Sequence, residues 1–162
     1  KLFKLIKFRS MKVASEARGL SITAGGDPRI TKLGRFIRKT KLDEFPQLWN
    51  VLVGDMSFVG PRPEVPKYVA LYSAEQREVL ALRPGITDLA SIEFRNEEAL
   101  LSAVDDPESF YIEHCVPAKI RLNLRHARNA TLLDDIVVIL KTVFPFLHKS
   151  TFNPSEIDEK RE

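Results

Sequence analysis

Thr31-Lys-Leu-Gly-Arg-Phe-Ile-Arg-Lys-Thr-Lys-Leu-Asp43-Glu44-Phe-Pro46-Gln-Leu-Trp49-Asn50 is the stretch from which the fold is read. Ile30, Leu33 and Ile37 recur at helical spacing behind Thr31, an N-cap residue, while Lys32, Arg35, Arg38 and Lys39 take the other faces. The pattern predicts a basic amphipathic helix that stops near Leu42. Asp43 then caps a second helix, with Pro46 in its first turn, an apolar stripe of Phe45, Leu48, Trp49 and Leu52, and Gly54 at its end. Two adjacent carboxylates, Asp43 and Glu44, thereby sit at a helix start. Unpaired N–H groups and the cations Arg38 and Lys41 close in sequence are expected to keep Asp43 ionised. Such a carboxylate can cap the helix, bind a metal, or attack phosphorus or an acetal carbon.

The whole chain has 162 residues and is 44% hydrophobic, enough for one domain with a real core. Residues 1–150 are expected to form that unit and 151–162 a polar tail. Net charge is only +3, yet positive charge dominates up to Lys41 and acids gather later. This asymmetry implies an anionic partner for the N-terminal part: a phosphorylated small molecule, an anionic membrane surface or nucleic acid. The single cysteine, Cys115, excludes an internal disulfide framework, and His114, His126 and His148 lack metal-ligand spacing, so these four read as structural. No apolar run reaches membrane-span length, nothing resembles a signal peptide, and a start at Lys1 suggests a missing N-terminal portion.

Leu2 to Met11 reads as a strand, followed by a loop over 12–29 with a turn at Gly25-Gly26, which lacks the Lys-Ser/Thr of a phosphate loop. In Gly60-Pro61-Arg62-Pro63-Glu64-Val65-Pro66 the prolines stiffen an extended path that displays Arg62. A guanidinium so held loses little entropy on gripping phosphate; the competing reading pairs it with an acid in a structural turn. Val65–Leu71 is expected to be helical. A capping box at Ser73–Gln76 opens a helix to Leu82, and Arg83-Pro84-Gly85 breaks it. Ile86–Phe94 is a strand candidate, 95–104 a short helix, and Pro107 and Pro117 stand in first helical turns. The helix from Pro117 to Ala130 carries Arg121, Arg125 and Arg128, suited to solvent or to phosphate headgroups. Thr131–Asp134 launches a last helix, apolar nearly all round, which is either central core or a segment lying against a membrane, and Pro145 bends or ends it. The fold class expected is α+β: a mostly helical single domain with a small hairpin or short sheet and amphipathic membrane-interface helices.

Five ordered motifs carry a resemblance: Lys7-Phe-Arg-Ser-Met11, Asp27-Pro-Arg-Ile-Thr-Lys-Leu-Gly34, Arg38 through Asp43-Glu44-Phe-Pro-Gln47, Gly54-Asp-Met-Ser-Phe-Val-Gly-Pro-Arg-Pro63 and Arg83-Pro-Gly-Ile-Thr87. Together they resemble the bacterial sugar transferases, the monotopic polyprenyl-phosphate phosphoglycosyl transferases, densely to about residue 90 and loosely beyond. The resemblance implies transfer of a phosphosugar from a UDP-sugar to undecaprenyl phosphate at the cytoplasmic face of a bacterial membrane. UMP is released, magnesium is the cofactor, the intermediate is covalent, and nucleic acid is no partner. It further implies Asp43 as nucleophile and Glu44 as a magnesium-binding or proton-handling residue, with Asp43 also near the metal. Lys7, Arg9, Arg38, Arg62 and Arg83 would contact substrate or hold the acids. The chain departs from the family at Asp88, where Gly is common after Arg-Pro-Gly-Ile-Thr, and at the hydrophobic re-entrant helix with which members begin. Two rivals remain: a non-enzymatic basic module binding anionic lipid or nucleic acid, and a metal-dependent phosphohydrolase using the same acids.

Overall fold

A computed structural model describes residues 2–12, 23 and 26–148. The turn at Gly25 and the tail 151–162 fall outside these residues. The elements are α1 (Lys32–Lys39), α2 (Gln47–Leu52), β1 (Ser57–Val59), α3 (Pro66–Val69), β2 (Gly85–Thr87), α4 (Leu89–Glu93), α5 (Glu97–Ser102), α6 (Pro107–Phe110), α7 (Val116–Asn129) and α8 (Leu132–Val143). Tight turns of 3-10 type occupy Leu42–Glu44, Gln76–Ala81 and Pro145–Leu147, and a π turn joins α6 to α7. This is the expected mostly helical α+β arrangement. The sheet is parallel, with Ser57 opposite Gly85 and Val59 opposite Thr87, so of the two alternatives it is the short sheet that the described residues form.

The core is built by residues from Tyr68 onward. Tyr68, Val79, Phe94, Leu101, Tyr111, Cys115, Val116 and Ile120 form one buried cluster. Tyr68 and Tyr111 meet ring to ring at 5.2 Å, and the Lys119 ammonium lies 4.9 Å from the Tyr111 ring centre. Cys115 is free and fully buried, and burial pushes its thiol up to about 12, which fits a packing role.

Local capping chemistry behaves as the sequence implies at several ends. The Thr31 hydroxyl accepts from the Gly34 N–H at 2.8 Å. Ser73 and Gln76 exchange reciprocal bonds, and Thr131 with Asp134 closes the box that opens α8. Gly54, at φ +83, turns the chain after α2, and α8 ends ahead of Pro145.

Two expectations are corrected. The segment 2–12 is extended but forms only a bridge, Met11 to Ile30, among the described residues. Its N–H groups instead reach irregular acceptors: Ile6 donates to the Asn50 side chain at 3.1 Å and Phe8 to the Asp43 carbonyl at 2.9 Å. The strand expected over Ile86–Phe94 stops at Thr87, because Asp88 caps α4 through the Ser91 N–H.

The apolar faces of α1 and α2 point outward. Leu33, Phe36, Phe45, Trp49 and Leu52 are exposed, Trp49 by 60% and Leu52 by 79%. What α2 buries is polar: Gln47 at 1% and Asn50 at 2% exposure. Asn50 holds the N-terminal segment, accepting from Ile6 and donating to the Lys4 carbonyl at 2.9 Å. In α1 the buried residue is Gly34, where an added Cβ would lie 1.9 Å from the Ser10 carbonyl oxygen; only glycine permits that approach. The last helix has the same character. Val138 is its buried side chain, while Leu132, Leu133, Val143 and Phe146 beyond it are exposed, so it is not central core. Among the described residues no helix is long and apolar enough to cross a membrane.

Candidate active site

The two adjacent acids are delivered by a backbone device that the sequence pattern does not show. Lys41 adopts φ 59, a left-handed conformation uncommon outside glycine, which ends α1 and starts the turn Leu42–Glu44. Asp43 therefore lies inside a tight turn and does not cap α2, whose cap position is Pro46. The turn drives both carboxyl groups inward, to 7% exposure for Asp43 and 9% for Glu44, although their neighbours Leu42 and Phe45 face outward.

The two acids then diverge electrostatically. Glu44 Oε1 accepts from Arg62 Nη2 at 2.7 Å and Oε2 from Arg62 Nη1 at 3.1 Å, a two-pronged pair. Burial pushes the Glu44 carboxyl up, but the Arg62 hydrogen bonds and the charges of Arg62, Lys41 and Lys7 more than reverse this, leaving it below its ordinary value. Asp43 has no such partner: its Oδ1 is buried without a hydrogen bond. Burial and then the neighbouring Glu44 charge push the Asp43 carboxyl up, against the smaller pull of Arg38 and Lys41. The expectation that a helix start would favour its anionic form is thus corrected, because the turn removes the helix N-terminus and supplies desolvation in its place.

The expected cations are distributed unevenly. Arg62 reaches Glu44 from the proline-stiffened segment with its side chain still 44% exposed. Arg38 forms its ion pair with Glu98 of α5 and acts on Asp43 only through its charge. Lys7 and Arg9 are exposed on the extended segment, and only Lys7 contributes to the field at Glu44. Arg83 lies apart from the acids. It lines a cleft of ≈ 220 Å³ with Gly60, Pro61, Asp88, Asn123 and His126, which neither Asp43 nor Glu44 borders.

Magnesium, which the resemblance implies, finds one fitting donor here. Glu44 has both oxygens committed to Arg62, whereas the orphaned Asp43 Oδ1 is a hard oxygen of the kind the ion accepts. Among the described residues no group of three His, Cys, Asp or Glu could hold an ion. The unpartnered Asp43 oxygen suits a hard cation, while the Glu44 oxygens already accept from Arg62.

Sequence reasoning missed Asp88. It is 2% exposed and accepts from the Arg62 backbone N–H at 3.0 Å, from Asn123 Nδ2 at 2.8 Å and from the Ser91 N–H. Its signal was an Asp ahead of Leu-Ala-Ser, an N-cap pattern that could have ended the expected strand.

Comparison with known proteins fits this geometry. The bacterial sugar transferase profile matches residues 1–149. The chain is 38% identical over 157 residues to the undecaprenyl-phosphate galactose phosphotransferase of Salmonella typhimurium, covering 88% of this chain and 30% of that protein. It is 33% identical over 161 residues to the Escherichia coli UDP-glucose:undecaprenyl-phosphate glucose-1-phosphate transferase, covering 94% and 31%. An Aeromonas hydrophila UDP-N-acetylgalactosamine-undecaprenyl-phosphate N-acetylgalactosaminephosphotransferase is 35% identical over 146 residues, covering 87% and 31%. The chain thus spans about a third of the length of these curated relatives. With the profile matched across nearly the whole chain, this protein belongs to the bacterial sugar transferase family.

Proposed function

We propose that this chain moves a phosphosugar from a UDP-sugar to undecaprenyl phosphate through a covalent intermediate on Asp43. The observation that carries the reading is the asymmetry of the acid pair: one carboxylate paired with Arg62, its neighbour buried with an oxygen that has no hydrogen-bond partner among the described residues. An oxygen whose proton affinity is raised by desolvation is also more basic toward phosphorus once ionised.

In the first step a carboxylate oxygen of Asp43 attacks the β-phosphorus of the donor. The bond from that phosphorus to the bridging oxygen breaks, its electron pair leaves with UMP, and an acyl phosphate bearing the sugar remains. In the second step a phosphate oxygen of the lipid acceptor attacks the same phosphorus and the aspartate carboxylate departs unchanged. The protein's work is positioning and charge cancellation. The exposed part of Arg62 meets diphosphate, while Arg38 and Lys41 sustain the anion on Asp43. Asp43 is the residue that would hold magnesium, which when bound would supply further neutralisation of phosphate charge.

The acceptor is a lipid phosphate, and the outward apolar side chains supply a surface for it. Leu33, Phe36, Leu42, Phe45, Trp49 and Leu52 flank Asp43 on both sides in sequence, among Lys32, Arg35, Lys39 and Lys41. Apolar residues rimmed by cations fit an anionic bilayer surface. Trp49 is the chain's one tryptophan, so its fluorescence reports on this face alone. Vesicles containing an anionic lipid are expected to shift its emission to the blue, and an unshifted spectrum would remove the membrane face from α2.

The function itself is tested by incubating the protein with a panel of UDP-sugars, undecaprenyl phosphate and magnesium while measuring UMP. Release of UMP with formation of a lipid-linked diphosphosugar is the expected result. Free sugar phosphate formed without lipid would identify a hydrolase, and no turnover on any sugar nucleotide would leave the rival of a basic lipid-binding module.

A further inference from the structure

Arg62 lies between two prolines, so across Pro61, Arg62 and Pro63 its N–H is the only main-chain donor. The chain before it is held by ordinary main-chain bonds: the Ser57 N–H donates to Pro84, the Gly60 N–H to Thr87 at 3.0 Å, and the Gly85 N–H to Pro61 at 3.1 Å. At Asp88 the second strand has ended and α4 is about to start, leaving no main-chain acceptor in register with Arg62. The Asp88 carboxylate fills that place. Its Oδ2 accepts the Arg62 N–H at 3.0 Å and the Asn123 amide at 2.8 Å, and its Oδ1 accepts the Ser91 N–H. A side chain thus adds one rung beyond the end of the sheet and ties it to α4 and α7. On the other side of this segment Glu64 accepts from the Tyr111 hydroxyl, so the stretch is pinned at both flanks of Arg62.

We infer that Asp88, braced by Asn123, is a positioning residue for Arg62: it fixes the backbone from which the guanidinium reaches Glu44 and the donor diphosphate. The inference rests on the proposed transferase reading for its kinetic consequence and on geometry alone for the rung. Polar oxygens in a nearly closed site are costly unless hydrogen-bonded, and here the donors are the Arg62 N–H, the Asn123 amide and the Ser91 N–H. Asp88→Asn keeps shape and one carbonyl acceptor but gives up the charge and a shared oxygen. It therefore perturbs the rung without emptying the site.

The test is a double-mutant cycle on the purified protein with UDP-sugar and undecaprenyl phosphate. Asp88→Asn is expected to lower kcat/KM by ~10-fold when Arg62 is present and by less than ~2-fold in an Arg62→Ala background, the signature of a residue acting through another. Equal losses in both backgrounds would overturn the inference, because a merely structural defect multiplies through. Amide exchange at Arg62 gives a second arm that needs no activity. Exchange faster by ~10-fold in Asp88→Asn, at unchanged global stability, supports the rung, and an unchanged rate refutes it. Should Asp88→Asn not fold, Asn123→Leu withdraws the bracing donor instead and must accelerate the same amide. Should the wild-type protein release no UMP from any sugar nucleotide, the transferase reading fails while the exchange arm still decides the role of Asp88.

Discussion

Asp43→Asn is expected to abolish covalent labelling by a radiolabelled UDP-sugar and to lower turnover on the order of 10⁴-fold or more, the scale of removing a nucleophile. Asparagine fits the same pocket but cannot form the acyl phosphate. The fold is expected to survive, and the sign of the stability change follows from the direction of the titration shift. Asp43 is pushed above its ordinary value by burial and by Glu44, so its stabilising contribution is present when it is protonated and is lost as pH rises through the folded value. At neutral pH its ionised form therefore opposes folding, and replacing it with a neutral side chain is expected to leave resistance to urea equal or higher. Glu44 has the opposite sign. Held below its ordinary value, it contributes stability above the unfolded value, lost as pH falls through the folded one. Lowering the pH should thus protonate Asp43 first, switching off labelling while the Glu44–Arg62 pair still stands. Urea titrations and labelling across the acid range measure both. Labelling that persists in Asp43→Asn, or a variant markedly less stable at neutral pH, would remove Asp43 from the chemistry.

The elements legible in the sequence were those set by local chemistry. Thr31, Thr131 and the Ser73–Gln76 box mark starts because their side chains satisfy N–H groups within three residues. Gly54 marks an end because it takes a positive φ freely. Periodicity also revealed that α1 and α2 are amphipathic. It could not reveal which face points inward, since period reports contrast and not the medium each face meets. Here Gly34 and Asn50 face the protein because one makes a close backbone approach and the other hydrogen bonds to an irregular N-terminal segment, leaving Leu33 and Trp49 outside. The pairing of β1 with β2 depends on a contact distant in sequence and left no short-range mark. At the site, the adjacency of Asp43 and Glu44 and the rigidity around Arg62 were legible. Their union was not, nor was the left-handed Lys41 that buries the acids, because lysine carries no turn signal. Asp88, read first as a departure from the family pattern, accepts the Arg62 backbone N–H.

Arg62→Lys is expected to reduce turnover by about 10²–10³-fold, the scale of losing one well-placed donor to developing charge, while costing only about 1 kcal/mol of stability. The two effects separate because Arg62 serves two partners with different parts of one group. Toward Glu44 the guanidinium makes two parallel bonds, at 2.7 and 3.1 Å, which a point-charge ammonium cannot reproduce. Toward solvent the side chain remains 44% exposed, so water and salt screen the pair and keep its contribution to folding small. Glu44 itself is nearly closed off, so a lysine unable to span both oxygens leaves one of them without its donor. That oxygen would then compete with the donor diphosphate for magnesium and for the remaining cations, and the Glu44 carboxyl would rise toward its ordinary value. Two consequences distinguish this from a simple loss of positive charge. The KM for the UDP-sugar should increase along with the fall in kcat, and a second change, Glu44→Gln, should restore part of the KM by removing the stranded charge. Stopped assays of UMP release over a range of UDP-sugar concentrations provide both constants. Unchanged kinetics in Arg62→Lys would confine Arg62 to structure, whereas a Glu44→Gln change that deepens the defect would show that the carboxylate acts on substrate directly and not through its partner.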